Sequence, residues 1–125
     1  MIDIALAIAK KAHAGQVDKA GVDYIQHPLY VASQVNTEQE KAVALLHDVI
    51  EDSDITAADL FASGLSNEVV TAVQILTKKK GQSYQEYLGK VKSNNLARVV
   101  KLADLKHNSD LSRLKSCYQY RLRAC

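Results

Sequence analysis

Thr37-Glu38-Gln39-Glu40-Lys41-Ala42-Val43-Ala44-Leu45-Leu46-His47-Asp48-Val49-Ile50-Glu51-Asp52 is the stretch from which the fold reads most directly. Thr37 stands at a helix N-cap, and Glu40 three residues on completes a capping box. The spacing predicts a helix from there to about Glu51. Ala42, Val43, Leu45, Leu46, Val49 and Ile50 make it apolar nearly all round, the pattern of a central, buried helix.

The same signals recur on both sides. Ile4, Ala5, Ile8 and Ala12 recur at helical spacing and predict a first helix over Ile2 to Ala14, stopped by Gly15. A loop, Gln16 to Gln26, follows, with Gly21 as its pivot. Pro28 suits a first helical turn and opens a helix over Leu29 to Val35. Thr56 and Asp59 repeat the capping pattern for a short helix ending before Gly64. Ser66 opens another, with Val69, Val70, Val73, Ile75 and Leu76 as its core stripe. Ser83 and Glu86 form a further box ahead of Tyr84, Tyr87, Leu88 and Val91. A last helix spans about Leu96 to Asn108. No segment alternates with period two long enough to read as a strand, so the expected fold class is all-α.

Composition sets the bounds. The 125 residues fit one domain, and 47% hydrophobic with 24% charged residues describes an ordinary globular chain rather than a disordered one. A net charge of +2 without a clustered basic patch gives no footprint for nucleic acid. The longest apolar runs fall far short of a membrane span, and the start lacks a secretory pattern. Cys117 and Cys125 form neither a disulfide framework nor a zinc site. The expectation is a cytoplasmic protein with no membrane and no nucleic-acid partner.

The chemistry-bearing residues stand where polar groups are least expected. His47-Asp48 ends an otherwise apolar helix, and Glu51 and Asp52 follow within one turn. Helical geometry sets His47 beside Glu51, and Asp48 beside Glu51 and Asp52. So many carboxylates at a helix C-terminus repel one another unless a cation sits among them. A solvated helix end is the plainer alternative. Asp104 shares a helix face with Asn108, and an exposed polar stripe with Lys101 explains that pair equally well. His27 lies between a loop and a helix start. His13 and His107 read as structural histidines. If His27, His47, Asp48 and Asp104 converge, two imidazoles and two carboxylates suit a divalent transition metal such as manganese, iron or zinc.

The order His27, His47-Asp48, Asp104 resembles the H…HD…D signature of the HD-domain metal-dependent phosphohydrolases. The match narrows further. Ala12-His13-Ala14-Gly15-Gln16 and Tyr24-Ile25-Gln26-His27-Pro28 look like the opening of the RelA/SpoT-type alarmone hydrolase domain. Ala44 to Asp52 is nearly that family's central motif. Leu76-Thr77-Lys78, Tyr84-Gln85-Glu86-Tyr87-Leu88, and Val100-Lys101-Leu102-Ala103-Asp104 with His107-Asn108 fit its later parts. The resemblance implies an HD-domain helical bundle around a single divalent metal, Mn2+ first among the transition metals, held by His27, His47, Asp48 and Asp104. It implies Glu51 and Asp52 as the catalytic acidic pair. Asn108 would position the substrate or the water. Lys19 would lie near the nucleotide, with Lys78 a second phosphate-neutralising cation. The implied reaction removes the 3′-pyrophosphate of guanosine tetra- or pentaphosphate, giving GDP or GTP and pyrophosphate.

Two departures keep alternatives open. Asp18 stands where the family commonly has an arginine that packs on guanine, and a carboxylate cannot stack as a guanidinium plane does. Asp18 could instead accept hydrogen bonds from a base edge. The tail Ser116 to Cys125 does not resemble the family's next segment. The expectation is a single HD phosphohydrolase domain over 1–125, shortened at its C-terminus, with homo-oligomer formation as one way to cover the exposed surface. The alternatives are hydrolysis of another nucleotide, for example at the NADPH 2′-phosphate, and a non-catalytic metal- or nucleotide-binding regulator.

Overall fold

A computed structural model of the chain describes residues 1–108. Cys117, Cys125 and the divergent tail lie outside the described residues. Within them the order is α1 Ile2–Ala12, α2 Gln26–Ser33, α3 Glu38–Leu46, α4 Val49–Asp52, α5 Ala57–Ala62, α6 Asn67–Leu76, α7 Tyr84–Ser93 and α8 Asn95–Asn108. The all-α expectation holds; the one β feature among the described residues is an isolated bridge between Val17 and Asp23. No described helix is long and apolar enough to cross a membrane.

α3 is the axis of the bundle. Thr37 Oγ1 accepts from the Glu40 amide while the Glu40 side chain accepts from the Thr37 amide, so both halves of the capping box form. Ala42, Val43, Ala44, Leu45 and Leu46 are all buried, and α1, α2, α6 and α8 pack around them. A helix apolar on every side is stable only inside such a ring. Val31 of α2, Val69, Val70 and Val73 of α6, and Val100 of α8 fill the spaces between. The Thr56–Asp59 box also forms in full. At α7 only half of the expected box is present: Ser83 accepts from the Glu86 amide.

Several boundaries differ from the sequence reading, among them the end of α2, at Ser33 and not Val35. α1 ends at Ala12, and Gly15 takes the left-handed conformation at φ +77° that glycine adopts without strain. α2 starts at Gln26, so Pro28 is its third residue. An amide there has no intrahelical acceptor, and proline is tolerated for that reason. The expected long helix to Glu51 breaks after Leu46. His47 sits at φ −60°, ψ −26° and Asp48 at φ −106°, ψ 0°, the bridge region, before α4 resumes as a single turn. The His47 ring bonds back to the Ala44 carbonyl, and Tyr24 holds the Asp48 carboxylate, so both residues are fixed by side-chain contacts at the break. The loop over 16–26 is also tighter than a free pivot. Asp18 and Val22 bond across it, as do Tyr24 and Gln16, with Gly21 at φ +85°.

Candidate active site

Four side chains from three parts of the chain meet at one buried point. The start of α2 brings in His27, the break between α3 and α4 brings in His47 and Asp48, and α8 brings in Asp104. His27 Nε2 lies 2.7 Å from Asp104 Oδ1 and 4.0 Å from Asp48 Oδ2. His47 Nε2 lies 3.0 Å from Asp48 Oδ2 and 3.4 Å from Asp104 Oδ1. One ligand atom from each of His27, His47 and Asp104 falls within 4.8 Å of the others, a spacing that could hold a metal ion. All four expected ligand positions therefore converge. The exposed-stripe alternative for Asp104 is overturned: the residue is 8% exposed, because α8 turns it onto α2 and α3.

The donor set fits a cation. His47 Nδ1 meets the Ala44 carbonyl, which assigns the ring proton to that nitrogen and leaves Nε2 as a lone pair. That Nε2 is fully buried and makes no hydrogen bond, although two carboxylate oxygens stand beside it. A bare imidazole nitrogen facing two carboxylates is an unfavourable arrangement that a divalent ion would neutralise. Mixed imidazole and carboxylate ligands suit a transition metal.

Without the ion, protons carry the same burden. Burial alone would lower the His47 pKa, but the charge of Asp48 and contacts with Asp104 reverse this and hold it well above the usual value. Burial would raise Asp48; the His47 charge and contacts from His47 and Tyr24 instead bring it down to about 2. Asp104 lies below the ordinary carboxylate range too, its burial outweighed by contacts with His27 and His47. Tyr24 Oη donates to Asp48 Oδ2 at 2.6 Å. Burial, then the Asp48 charge, raise its pKa far above the usual phenol range, so it stays a donor. Lys101 Nζ, 3.5 Å away, faces the other oxygen of Asp104.

Glu51 and Asp52 form the α4 turn beside this cluster, and the Asp52 amide bonds the Asp48 carbonyl at 2.9 Å. Partial burial, then the charge of Asp48, raise the pKa of both carboxyls. Each is thus a better proton carrier than a free carboxylate. Asn108 Nδ2 donates to Asp104 Oδ1 at 3.3 Å, which places it at the rim of the cluster. The other expected substrate residues are Lys19, Lys78 and Asp18. Lys19 is exposed in the 19–22 turn and Lys78 is exposed after α6. Asp18 Oδ1 accepts from the Ala20 and Val22 amides at 2.8 and 3.0 Å, so that oxygen serves the turn.

Sequence reasoning missed three neighbours. Tyr24 enters the sequence reading as part of a motif, Lys101 as part of an exposed stripe and of a motif, and His107 as a structural histidine within that same motif. His107 Nδ1 lies 2.7 Å from His27 Nδ1. Its i+3 spacing from Asp104 was the available signal.

No protein-family model matches the chain. The guanosine-3′,5′-bis(diphosphate) 3′-pyrophosphohydrolase of Haemophilus influenzae is 38% identical over 81% of this chain and 17% of its own length. The bifunctional (p)ppGpp synthase/hydrolase SpoT of Escherichia coli is 33% identical over 83% of this chain, again 17% of the relative. The chain thus spans under a fifth of the length of these curated relatives. A solved structure of a metazoan ortholog of SpoT that hydrolyzes ppGpp matches with a TM-score of 0.68 at 24% identity, covering 95% of this chain and 80% of that one. At that identity the likeness is one of fold.

Proposed function

Over the segment it shares with these relatives the chain belongs to the RelA/SpoT-type HD-domain family, and on that premise we propose that it hydrolyses the 3′-pyrophosphate of guanosine 3′,5′-bis(diphosphate). The products are GDP, or GTP from the pentaphosphate, and pyrophosphate. The observation that carries this reading is the convergence of His27, His47, Asp48 and Asp104 beside two carboxyls of raised pKa.

His27, His47, Asp48 and Asp104 would hold the ion, Mn2+ in this reading. Such an ion supplies charge neutralisation at a phosphoryl oxygen and activation of water. The rest falls to the chain's own groups. Water's oxygen bonds to the phosphorus on the ribose 3′-oxygen, that P–O bond breaks, and the 3′-oxygen takes up a proton. Glu51 and Asp52 carry these protons, one receiving from the water and one giving to the leaving oxygen. Tyr24 fixes the Asp48 carboxylate, and Asn108 positions substrate at the rim. Lys19 and Lys78 neutralise phosphate oxygens, and Asp18 lies beside the nucleotide, in the cytoplasm. Phosphoryl transfer asks chiefly for such positioning and neutralisation. The catalytic unit in this reading is the single domain 1–125.

A second reading keeps the chemistry and changes the nucleotide, for example to the NADPH 2′-phosphate. It is favoured by Asp18, which supplies the turn with a hydrogen-bond acceptor and brings no guanidinium to a base. The experiment is release of GDP and pyrophosphate from guanosine tetraphosphate by the purified chain, with Mn2+ and with chelator, beside Asp48→Ala. Release that needs both Mn2+ and Asp48 is expected. No release from folded, Mn2+-loaded protein would overturn the guanosine reading, and turnover of NADPH by the same sample would put the second in its place.

A further inference from the structure

A histidine that gives one ring nitrogen to a cation keeps its proton on the other, and that N–H needs an acceptor. For His47 the acceptor is the Ala44 carbonyl. For His27 the nitrogen facing the cluster is Nε2, so the proton belongs on Nδ1. What Nδ1 meets is another imidazole, Nδ1 of His107, at 2.7 Å. The two ring planes differ by 10°, with centroids 4.9 Å apart. Nitrogens this close are nearer than two stacked ring faces come, so the rings meet edge to edge in nearly one plane. Only one proton fits between them.

The arrangement comes from two interleaved helical turns. On α8, Asp104 and His107 are three residues apart, so one turn supplies a carboxylate to one edge of the His27 ring and an imidazole to the other. On α2, His27 and Tyr30 are also three apart. The Tyr30 ring covers His107 at 4.1 Å and 23°. The His107 ring is therefore held on its face by Tyr30 and at its edge by His27.

We infer that His107 is a positioning residue of the site, whose bare Nδ1 accepts the His27 Nδ1 proton and so presents His27 Nε2 to a divalent cation as a lone pair. This rests on the metal reading above and does not depend on which nucleotide is hydrolysed. It differs from a packing role in what can replace it. An asparagine amide oxygen can stand where Nδ1 stood; alanine and phenylalanine offer no acceptor.

The test is isothermal titration of the full chain with Mn2+ and with Zn2+, together with 15N spectra of labelled histidines. His107→Ala is expected to weaken binding about 10- to 100-fold, the usual cost of losing a ligand's hydrogen-bond partner. His107→Asn is expected to regain most of that loss. The spectra of ion-loaded protein are expected to put the His27 proton on Nδ1. Should His107→Ala fail to fold, His107→Phe keeps ring and volume without the acceptor and is expected to show the same weakening. Unchanged affinity in the alanine or phenylalanine variant, or equal loss in the asparagine one, would overturn the inference. A wild-type chain that binds neither ion would overturn it together with the metal reading. If the ion binds with these ratios but no pyrophosphate is released, the substrate reading falls and this inference is borne out.

Discussion

His13 and His47 are bonded alike and surrounded differently. Each is buried, at 3% and 4% exposure. Each turns Nδ1 to a nearby acceptor, Gln16 Oε1 for His13 and the Ala44 carbonyl for His47. Each keeps a buried Nε2 with no hydrogen-bond partner. Around His47 stand two carboxylates and the edge of the His27 ring. The His13 ring instead lies against the Tyr24 ring, 4.8 Å between centroids, and Gln16 ties it to the α4 end by donating to the Asp52 carbonyl at 2.8 Å. A bare buried nitrogen is thus not by itself the mark of a ligand. Convergent negative charge beside it makes the difference.

The largest effects should separate the two. His47→Ala removes a nitrogen that faces both carboxylates; metal retained after dialysis and hydrolysis should both fall below detection, while metal analysis of His13→Ala should give the wild-type stoichiometry. Next come the carboxyls of the α4 turn, which stand beside the cluster without joining it. Glu51→Gln should keep the ion and lower kcat about 10²- to 10⁴-fold, as removal of a general acid or base does. Undiminished turnover there would remove Glu51 from the proton path. Smaller again is the effect of His13→Ala on the fold. Loss of its bond to Gln16 and its contact with Tyr24 should cost about 1–3 kcal/mol in urea unfolding, within the usual range for a buried single change. Loss of metal in that variant would erase the contrast between the two histidines.

Much of this was legible in the residues. The capping pairs placed α3 and α5, because a side chain that satisfies an orphan amide leaves a local signature. The apolar run Ala42 to Leu46 announced a buried axis for the same kind of reason: burial on all sides leaves no room for polar residues. The break after Leu46 was not legible, since His47 and Asp48 are both compatible with a helix. Contacts with Ala44 and with Tyr24, 24 residues away, hold them at the break. Asp104 was open between two readings because spacing within one helix says nothing about which neighbour covers that face. His107 reads as a structural histidine because its partner His27 is 80 residues distant. Long-range convergence entered through the motif resemblance, not through periodicity.

The cap at the other end of α3 offers the smallest effect and the cleanest control, because it belongs to folding and not to the site. Thr37→Ala should cost about 1 kcal/mol in urea unfolding, the typical price of a lost N-cap, with metal affinity unchanged. Its partner adds a pH signature. Bonds from the Thr37 and Asn36 amides, each 3.0 Å from Glu40 Oε1, hold the Glu40 carboxyl below its usual value. A carboxyl depressed in the folded state contributes stability above its unfolded pKa, and that contribution is lost as pH falls through the folded pKa. Wild type should therefore exceed Glu40→Gln in stability at neutral pH, and the gap should close in acid. Asp48 and Asp104 are held low as well, but any charge they lose in acid is lost in both proteins, so the difference between the two unfolding curves isolates the cap. A gap that persists unchanged to pH 2 would assign the effect of Glu40 to packing instead of to its charge.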